Sequence, residues 1–407
     1  MQCGLLGRRL GHSYSPKIHA SLADYRYDLF EIEPEKIEAF LQNSNFTGLN
    51  VTVPYKKAVI PYLDELSPRA KELGAVNTIV RRGGKLIGHN TDYFGFLTMV
   101  RSSGLPVSGK KVLVLGSGGA SNTAVAVLKE LGARVIVISR NGENNYQNLN
   151  LHSDAAVIVN TTPVGMYPDV GVSPVELDLF PKLEGVLDVI YNPARTKLLM
   201  DAEKKGILAV NGLQMLVAQA KEAAEWFHLQ PIEESKIGQI QHSLAAQMEN
   251  LILIGMPGCG KSTLGKVLAQ KLGKTFIDAD EQIIRLAGKS IPEIFAQDGE
   301  AVFREWETQA LALLGMQSGL VIATGGGCVT REQNYPLLHQ NGRIIWLRRD
   351  IRLLPTDGRP LSQGVNLEEM YRIRKPMYEG FADLVVDNRS SIEEVANSVL
   401  CQLEESK

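Results

Sequence analysis

The chain has 407 residues, 44% of them hydrophobic and 22% charged, with a net charge of −2. That balance fits about two to three globular domains and offers no basic face for nucleic acid or for an acidic membrane surface. The four cysteines, Cys3, Cys259, Cys328 and Cys401, are scattered without metal or disulfide spacing, and no apolar run has the length of a membrane span or the form of a secretory leader. A cytoplasmic protein is therefore expected.

Over the first hundred residues, strand-like runs at 27–32, 48–53 and 75–80 alternate with helical spacing such as Ile37, Phe40 and Leu41. Three polar clusters interrupt this α/β pattern. In the first, Ser13 and Ser15 can offer two hydroxyls to a small anion, although Ser15-Pro16 also reads as a helix cap with a first-turn proline. In the second, Asn50 and Thr52 share one face of a strand end, Pro54 stops the strand, and Lys56 follows in the turn. The third is Asn90-Thr91-Asp92, placed after Leu86-Ile87-Gly88. Lys56 and Asp92 at separate strand ends can form a proton-handling pair, the need of a carbonyl reduced by hydride. Taken singly, each reads equally as a solvated lysine and a helix cap.

Val112 to Leu115 then reads as a buried parallel strand, followed by Gly116-Ser117-Gly118-Gly119-Ala120-Ser121, a helix carrying Ala124, Val127, Leu128 and Leu131, and a second strand at 134–138. Strand, glycine turn, helix and strand make a dinucleotide-binding unit, although Ser121 stands where the third glycine is usual. The second strand ends in Ser139-Arg140-Asn141, and an arginine there favours a ribose 2′-phosphate, hence NADP(H). Glu143 lies close enough to support the opposite reading. Further parallel strands are expected at 156–160, 186–190 and 208–210, with Thr161-Thr162-Pro163 and Tyr191-Asn192-Pro193 at carboxyl ends, where such sheets bind ligands. The next helix, 212–227, begins at Gly212 and projects Gln219 beside its apolar face. Residues 231–249 read as an amphipathic helix, with Ile237, Ile240, Leu244 and Met248 in step.

The apolar strand at 251–254 leads into Gly255-Met256-Pro257-Gly258-Cys259-Gly260-Lys261-Ser262-Thr263 and then a helix marked by Leu264, Val267, Leu268 and Leu272. This is a phosphate-binding loop in its required strand–loop–helix context. Glycines turn backbone N–H groups toward phosphate oxygens, and the helix N-terminus adds positive potential. Lys261 would reach the outer phosphates of ATP and Ser262 would ligate Mg2+. Later strands are expected at 274–277, 320–323, 343–347 and 384–387, giving one three-layer domain. Asp278 and Asp280 end one strand, with Asp278 the metal-side candidate and Asp280 facing the opposite way, unless both simply cap a helix. Gly325-Gly326-Gly327 ends another and permits close approach of a substrate to the backbone. Arg304, Arg359 and Arg374 suit capture of a carboxylate or phosphoryl group, and each taken singly reads as a surface arginine.

Two resemblances bind these pieces together. Ser13-x-Ser15-Pro16, Asn50-Val-Thr-Val-Pro-Tyr-Lys56, Gly74-Ala-Val-Asn77-Thr, Asn90-Thr-Asp92, Gly116-x-Gly-Gly-Ala120, Asn160-Thr-Thr-Pro-Val-Gly-Met166 and Met215-Leu-x-x-Gln219 resemble the shikimate dehydrogenase family. The resemblance implies that Ser13, Ser15, Thr52, Asn77, Asp92 and Gln219 hold a cyclohexene acid and that Lys56 and Asp92 form the catalytic pair with Tyr191 nearby. It also implies cofactor contacts from Gly116, Ser117, Gly118, Gly119, Ala120, Arg140 and Gly212, although the family commonly has Asn-Arg-Thr where this chain has Ser139-Arg140-Asn141.

From 251 to about 400, the phosphate loop, Asp278-Ala-Asp280, Gly288-x-Ser290-Ile291-x-Glu293, Gly299-Glu300-x-x-Phe303-Arg304-x-x-Glu307, Gly325-Gly-Gly327, Arg359-Pro-Leu361 and Arg374-x-Pro-x-Tyr378 resemble shikimate kinase. That resemblance implies that Asp280, Arg304, Gly326 and Arg374 bind shikimate, that Lys261 and Arg359 stabilise the transferred group, and that Asp278 joins Ser262 at Mg2+ through water. Nucleotide contacts would come from Gly258, Cys259, Gly260, Lys261, Ser262, Thr263 and Arg359, with Arg352 near adenine.

The expected architecture is an α/β substrate-binding part (1–100), a Rossmann NADP-binding part (101–211) and returning helices (212–249), followed by a P-loop domain like the nucleoside monophosphate kinases (250–407). The expected function is bifunctional: NADPH-dependent reduction of 3-dehydroshikimate to shikimate, then phosphorylation of shikimate by ATP. The partners are small molecules rather than nucleic acid or membrane, and a homodimer is compatible with the chain. The rivals are a single-activity enzyme with a nucleotide-binding regulatory half, a sensor without turnover, and quinate as the first half's substrate. The intact sets Lys56 with Asp92, and Lys261, Asp278, Asp280, Arg304, Arg359 and Arg374, weigh against the first two.

Overall fold

A computed structural model describes residues 1–11, 13–354 and 367–405. The chain divides by contact density into two units. The first comprises Met1–Met166, Val172–Tyr191 and Leu198–Leu244, and the second Tyr167–Gly171, Asn192–Lys197 and Ala245–Lys407.

The first unit carries two sheets. One contains β1 (Gln2–Gly7), β2 (Arg26–Glu31), β3 (Gly48–Val51), β4 (Glu65–Leu66), β5 (Thr78–Arg82) and β6 (Lys85–His89), in the order β2-β1-β3-β5-β6-β4. β1 runs parallel to both β2 and β3, whereas β5 is antiparallel to β3 and to β6. The sequence pattern predicts no strand at Gln2–Gly7. The strand forms because Gly4 lets it lie close to its neighbour: a Cβ there would stand 2.3 Å from the Asp28 carbonyl oxygen and 2.5 Å from the Phe30 ring. The glycine that permits this packing is also what lowers the strand signal.

The other sheet is wholly parallel: β7 (Lys111–Leu115), β8 (Arg134–Ile138), β9 (Val157–Asn160), β10 (Gly185–Asp188) and β11 (Leu208–Val210), ordered β11-β10-β9-β7-β8. Val112, Leu113, Val114 and Leu115 are fully buried, as a strand covered by helices on both faces must be. The chain leaves β7 toward β8 on one side and returns to β9 on the other. The crevice between the carboxyl ends of β7 and β9 is therefore the switch point where such sheets bind nucleotides.

The second unit has one parallel sheet, β12 (Asn250–Ile254), β13 (Thr275–Asp278), β14 (Leu320–Ala323), β15 (Gly342–Arg348) and β16 (Leu384–Asp387), ordered β13-β14-β12-β15-β16. All five expected strands are present, within two residues at each end. Leu251, Ile252, Leu253 and Ile254 pack in its core with Trp346, Tyr378, Leu311 and Val399.

The helix Gly299–Gly315 packs so closely on the helix Asn334–His339 that a Cβ at Gly315 would lie 1.8 Å from the Leu337 carbonyl oxygen. Backbone cannot yield there as a side chain could. Gly315→Ala should destabilise the second unit by about 1–3 kcal/mol, seen as a lower denaturant midpoint for its transition. An unchanged midpoint would show that the two helices are not held at this distance.

Candidate functional sites

The first unit contains a cavity of about 250 Å³ lined by Ser13, Ser15, Asn50, Thr52, Lys56, Asn77, Asp92, Tyr191 and Gln219, with Ala120 and Gly212 at its nucleotide-loop side. These residues come from a strand, helices and loops far apart in the chain, and the fold brings them together. Lys56 lies in the short helix Tyr55–Ala58, and Asp92 is the first residue of the helix Asp92–Ser102. Lys56 Nζ donates to Asp92 Oδ2 at 2.6 Å, while Asp92 Oδ1 accepts from Asn77 Nδ2 at 2.9 Å. The same amide is fixed from its other end, because its Oδ1 accepts from the Thr91 backbone N–H at 2.7 Å. Asp92 is thus aimed by Asn77 rather than serving as a helix cap; Thr91 holds the cap position. The Lys56 side chain is 30% exposed and that of Asp92 13%, so the pair faces the cavity rather than bulk water.

Ser15 is the first residue of its helix; Tyr14 is the cap residue and makes no side-chain capping bond. Both serines line the cavity, with Ser13 Oγ accepting from the Ser15 N–H at 3.2 Å. Gln219 Nε2 donates to the Leu216 carbonyl at 2.8 Å. Burial first, and the neighbouring Tyr14 second, raise the Tyr191 phenol, so it stays protonated across neutral pH.

A dinucleotide fits the turn after β7. Gly116 has φ +107°, and a Cβ there would meet Thr161 Oγ1 at 2.9 Å. Gly118 and Gly119 have open space where a Cβ would stand, so a phosphate can approach the backbone at the start of the helix Gly119–Glu130. Ser117 and Arg140 are exposed at the carboxyl ends of β7 and β8. They do not line the substrate cavity; Ala120 and Gly212 connect the two places.

The second unit's cavity is larger, about 650 Å³, and is lined by Gly258, Gly260, Lys261, Ser262, Thr263, Asp278, Asp280, Arg304, Glu307, Gly325, Gly326, Gly327, Arg349 and Arg374. Lys261 Nζ is held by the carbonyls of Gly255 (2.9 Å) and Met256 (3.1 Å). Ser262 Oγ donates to Asp278 Oδ2 at 2.8 Å, and Asp278 Oδ1 accepts from the Asp280 N–H at 3.1 Å. Asp278 is therefore at once a helix cap and the neighbour of Ser262. That hydroxyl–carboxylate pair beside a phosphate loop is a donor set suited to Mg2+, which takes one or two protein oxygens plus phosphate and water.

One expectation is corrected. Asp280 does not face away from Asp278, because strand alternation ends at Asp278 and the helix Ala279–Ala287 turns both carboxylates into one cavity. Burial, then Asp278 and Glu307, push Asp280 up to about 6. Cys259 is buried and does not line the cavity; its N–H donates to the Met256 carbonyl at 3.2 Å and its carbonyl accepts from Asn388 Nδ2 at 2.8 Å, so it shapes the loop from within. Arg359 lies outside the described residues, and Arg352 is exposed and paired with Asp350.

Arg304 is bound by Glu307 at 2.8 Å and Glu300 at 3.1 Å, which fixes its guanidinium at the cavity wall. Arg374 Nη1 donates to the Gly326 carbonyl at 3.2 Å, and the Tyr378 hydroxyl donates to the same oxygen. The sequence pattern assigns no role to Glu307 or Arg349. Glu307 is buried, one of its carboxylate oxygens lacks a partner, and burial raises its pKa despite Arg304. Its spacing of three from Arg304 was the available signal.

Comparison with known proteins follows the same division. Residues 5–79 match the family model for the shikimate dehydrogenase substrate binding domain. A shikimate dehydrogenase (NADP(+)) of Clostridium beijerinckii is 36% identical over 243 residues, spanning 54% of this chain and 90% of that protein. The chain belongs to the shikimate dehydrogenase family. A second such dehydrogenase, from Symbiobacterium thermophilum, is 37% identical over 55% of this chain and 88% of its own length. Among solved structures, a chorismate mutase/shikimate 5-dehydrogenase fusion protein from Clostridium acetobutylicum aligns with a TM-score of 0.57 at 36% identity, over 60% of this chain and 96% of that one. The Thermus thermophilus shikimate 5-dehydrogenase in complex with NADP(H) and shikimate aligns at 0.55 and 31% identity, over 60% and 99%. Residues 257–404 match the shikimate kinase family model, so the dehydrogenase-family region is followed by a region similar to that family.

A partly buried acid that feels the charge of Asp92 makes the first unit sensitive to pH. Glu222 lies less than one turn past Gln219 on the helix Leu213–His228, and its Oε2 is buried without a partner. Burial, then Glu225, push its pKa up to about 8 from 4.5, with Asp92 adding to the rise and Lys221 and Arg69 opposing it. A folded-state pKa above the unfolded value gives stability that is present at low pH and lost as pH rises toward 8. Glu222→Gln should therefore stabilise the first unit by roughly 1–3 kcal/mol at pH 8 and by little at pH 4.5. A thermal-melting gain equal at both pH values would contradict the assignment.

Proposed function

We propose that this chain catalyses two consecutive reactions: reduction of 3-dehydroshikimate to shikimate with NADPH by residues 1–249, and phosphorylation of shikimate at its 3-hydroxyl with ATP by residues 250–407. The observation that supports the first reaction most is the Lys56–Asp92 pair at 2.6 Å inside a cavity lined by hydroxyls and amides.

In the first site, Ser13 and Ser15 take the substrate carboxylate. Thr52, Asn77, Asp92 and Gln219 bind its ring oxygens. The reduced nicotinamide supplies the hydride when bound. Lys56 Nζ gives its proton to the carbonyl oxygen as negative charge develops there, and Asp92 keeps the ammonium aimed and charged. Tyr191 closes the cavity near this pair. Gly116 to Ala120 and Gly212 let the cofactor approach the backbone, and Arg140, exposed at the end of β8, meets the 2′-phosphate that distinguishes NADP(H).

In the second site, the acceptor carboxylate and hydroxyls meet Arg304, Arg374, Gly326 and Asp280. Asp280 orients the 3-hydroxyl, and its proton affinity, raised by burial, suits it to accept that hydroxyl's proton. Gly258 to Thr263 cradle the phosphates of ATP, and Lys261 stabilises the transferred group, a role that the family resemblance extends to Arg359. Ser262, and Asp278 through water, would hold Mg2+, which neutralises charge between the phosphates. Phosphoryl transfer needs positioning and cations more than a strong base.

Separate sites predict separable losses. Lys56→Ala should lower NADPH oxidation by about 10²–10⁴-fold while leaving phosphorylation of added shikimate intact. Lys261→Ala should do the reverse. Steady-state assays of both activities on each purified, folded variant check this, and a variant that loses both contradicts the division of labour.

A further inference from the structure

Among the described residues, four cationic side chains line the second unit's cavity: Lys261, Arg304, Arg349 and Arg374. Three are engaged. Lys261 rests on two carbonyls of its own loop, Arg304 on two glutamates, and Arg374 on the Gly326 carbonyl. Arg349 is different. Its Nε is buried without a partner, and among the described residues no carboxylate or carbonyl takes its guanidinium. The acids nearest to it along the chain and across the strand pair are committed elsewhere, Asp350 to Arg352 at 2.6 Å and Asp387 to Arg348 at 2.8 Å. A partly buried cation left without a counter-charge beside a phosphate loop costs folding free energy, and an anionic ligand removes that cost.

The sheet order says which ligand group it meets. β13 and β14, whose ends carry Asp278, Asp280 and Gly325 to Gly327, lie on one side of β12, and β15 lies on the other. β15 follows β12 in parallel, with Ile254 opposite Trp346, and a Cβ at Gly255 would lie 2.5 Å from the Leu347 carbonyl oxygen. Arg349, two residues past Leu347, therefore enters the cavity beside the first residues of the phosphate loop, across β12 from the acceptor-side groups.

We propose that Arg349 binds the phosphate chain of the nucleoside triphosphate, adding a side-chain cation from the β15 side of the loop. The inference rests on the kinase reading only in assuming that a nucleotide occupies this cavity. An arginine suits the role because its planar fork can hold two phosphate oxygens at once, which a lysine cannot.

Calorimetric titration of the full chain with Mg2+ and a non-hydrolysable ATP analogue, and separately with shikimate, tests it. Arg349→Ala should weaken the analogue's Kd by about 10- to 100-fold, and Arg349→Lys should fall between it and the parent chain. Shikimate affinity should be unchanged in both, which also reports that the cavity is folded. Unchanged analogue affinity, or a loss confined to shikimate or equal for both ligands, overturns the proposal. A parent chain that binds no nucleotide overturns the kinase reading itself and the proposal with it, whereas nucleotide binding indifferent to Arg349 removes the proposal alone.

Discussion

Parallel strands deliver every loop that follows them to one edge of the sheet. That constraint organises both units, because it places glycine turns, helix N-termini and charged side chains from distant parts of the chain against one another. In the first unit it sets the turn after β7 beside Thr161 after β9. In the second it sets Gly258 to Ser262 after β12 between Gly325 to Gly327 after β14 and Arg349 after β15. A buried strand such as Leu251–Ile254 contributes no side chain to chemistry; its role is to hold the next residue where backbone amides can meet a phosphate.

The two sites solve different electrostatic problems. Lys56 and Asp92 form a close pair held in line by Asn77, which suits the transfer of one proton to one oxygen. The second cavity instead gathers cations around a loop of amides, with acids spaced between them, which suits a multiply charged ligand. Burial without full compensation recurs at the edges of both: Glu222 and Glu307 each keep one oxygen unpaired, and Arg349 keeps its Nε unpaired. Such groups lower stability, and Glu307 and Arg349 keep theirs in the wall of the second cavity.

Much of this was legible in the sequence, for a local reason. Glycine loops, the strand–helix alternation and the clusters around Lys56, Asp92 and Asp278 are short-range patterns, and the family resemblance supplied their pairing. What stayed hidden depends on tertiary geometry. β1 was missed because Gly4, which allows close strand packing, weakens the strand pattern. Asp280 joins Asp278 in one cavity, against strand alternation, because the chain changes from strand to helix period at Ala279. Arg349 carries no sequence signal, since an arginine after a strand is ordinary until its neighbours' charges are known to be taken. The position of Arg359 lies outside the described residues.

The central claim is that one chain makes a small hydroxylated acid in one unit and phosphorylates it in the other. The most direct test is a single incubation of the purified chain with 3-dehydroshikimate, NADPH, ATP and Mg2+, following NADPH oxidation, ADP release and the organic product together. The account predicts shikimate 3-phosphate, with ADP formed mole for mole with the NADPH consumed once shikimate has reached steady state. Accumulation of shikimate with no ADP, or ADP release that ignores added shikimate, would contradict it.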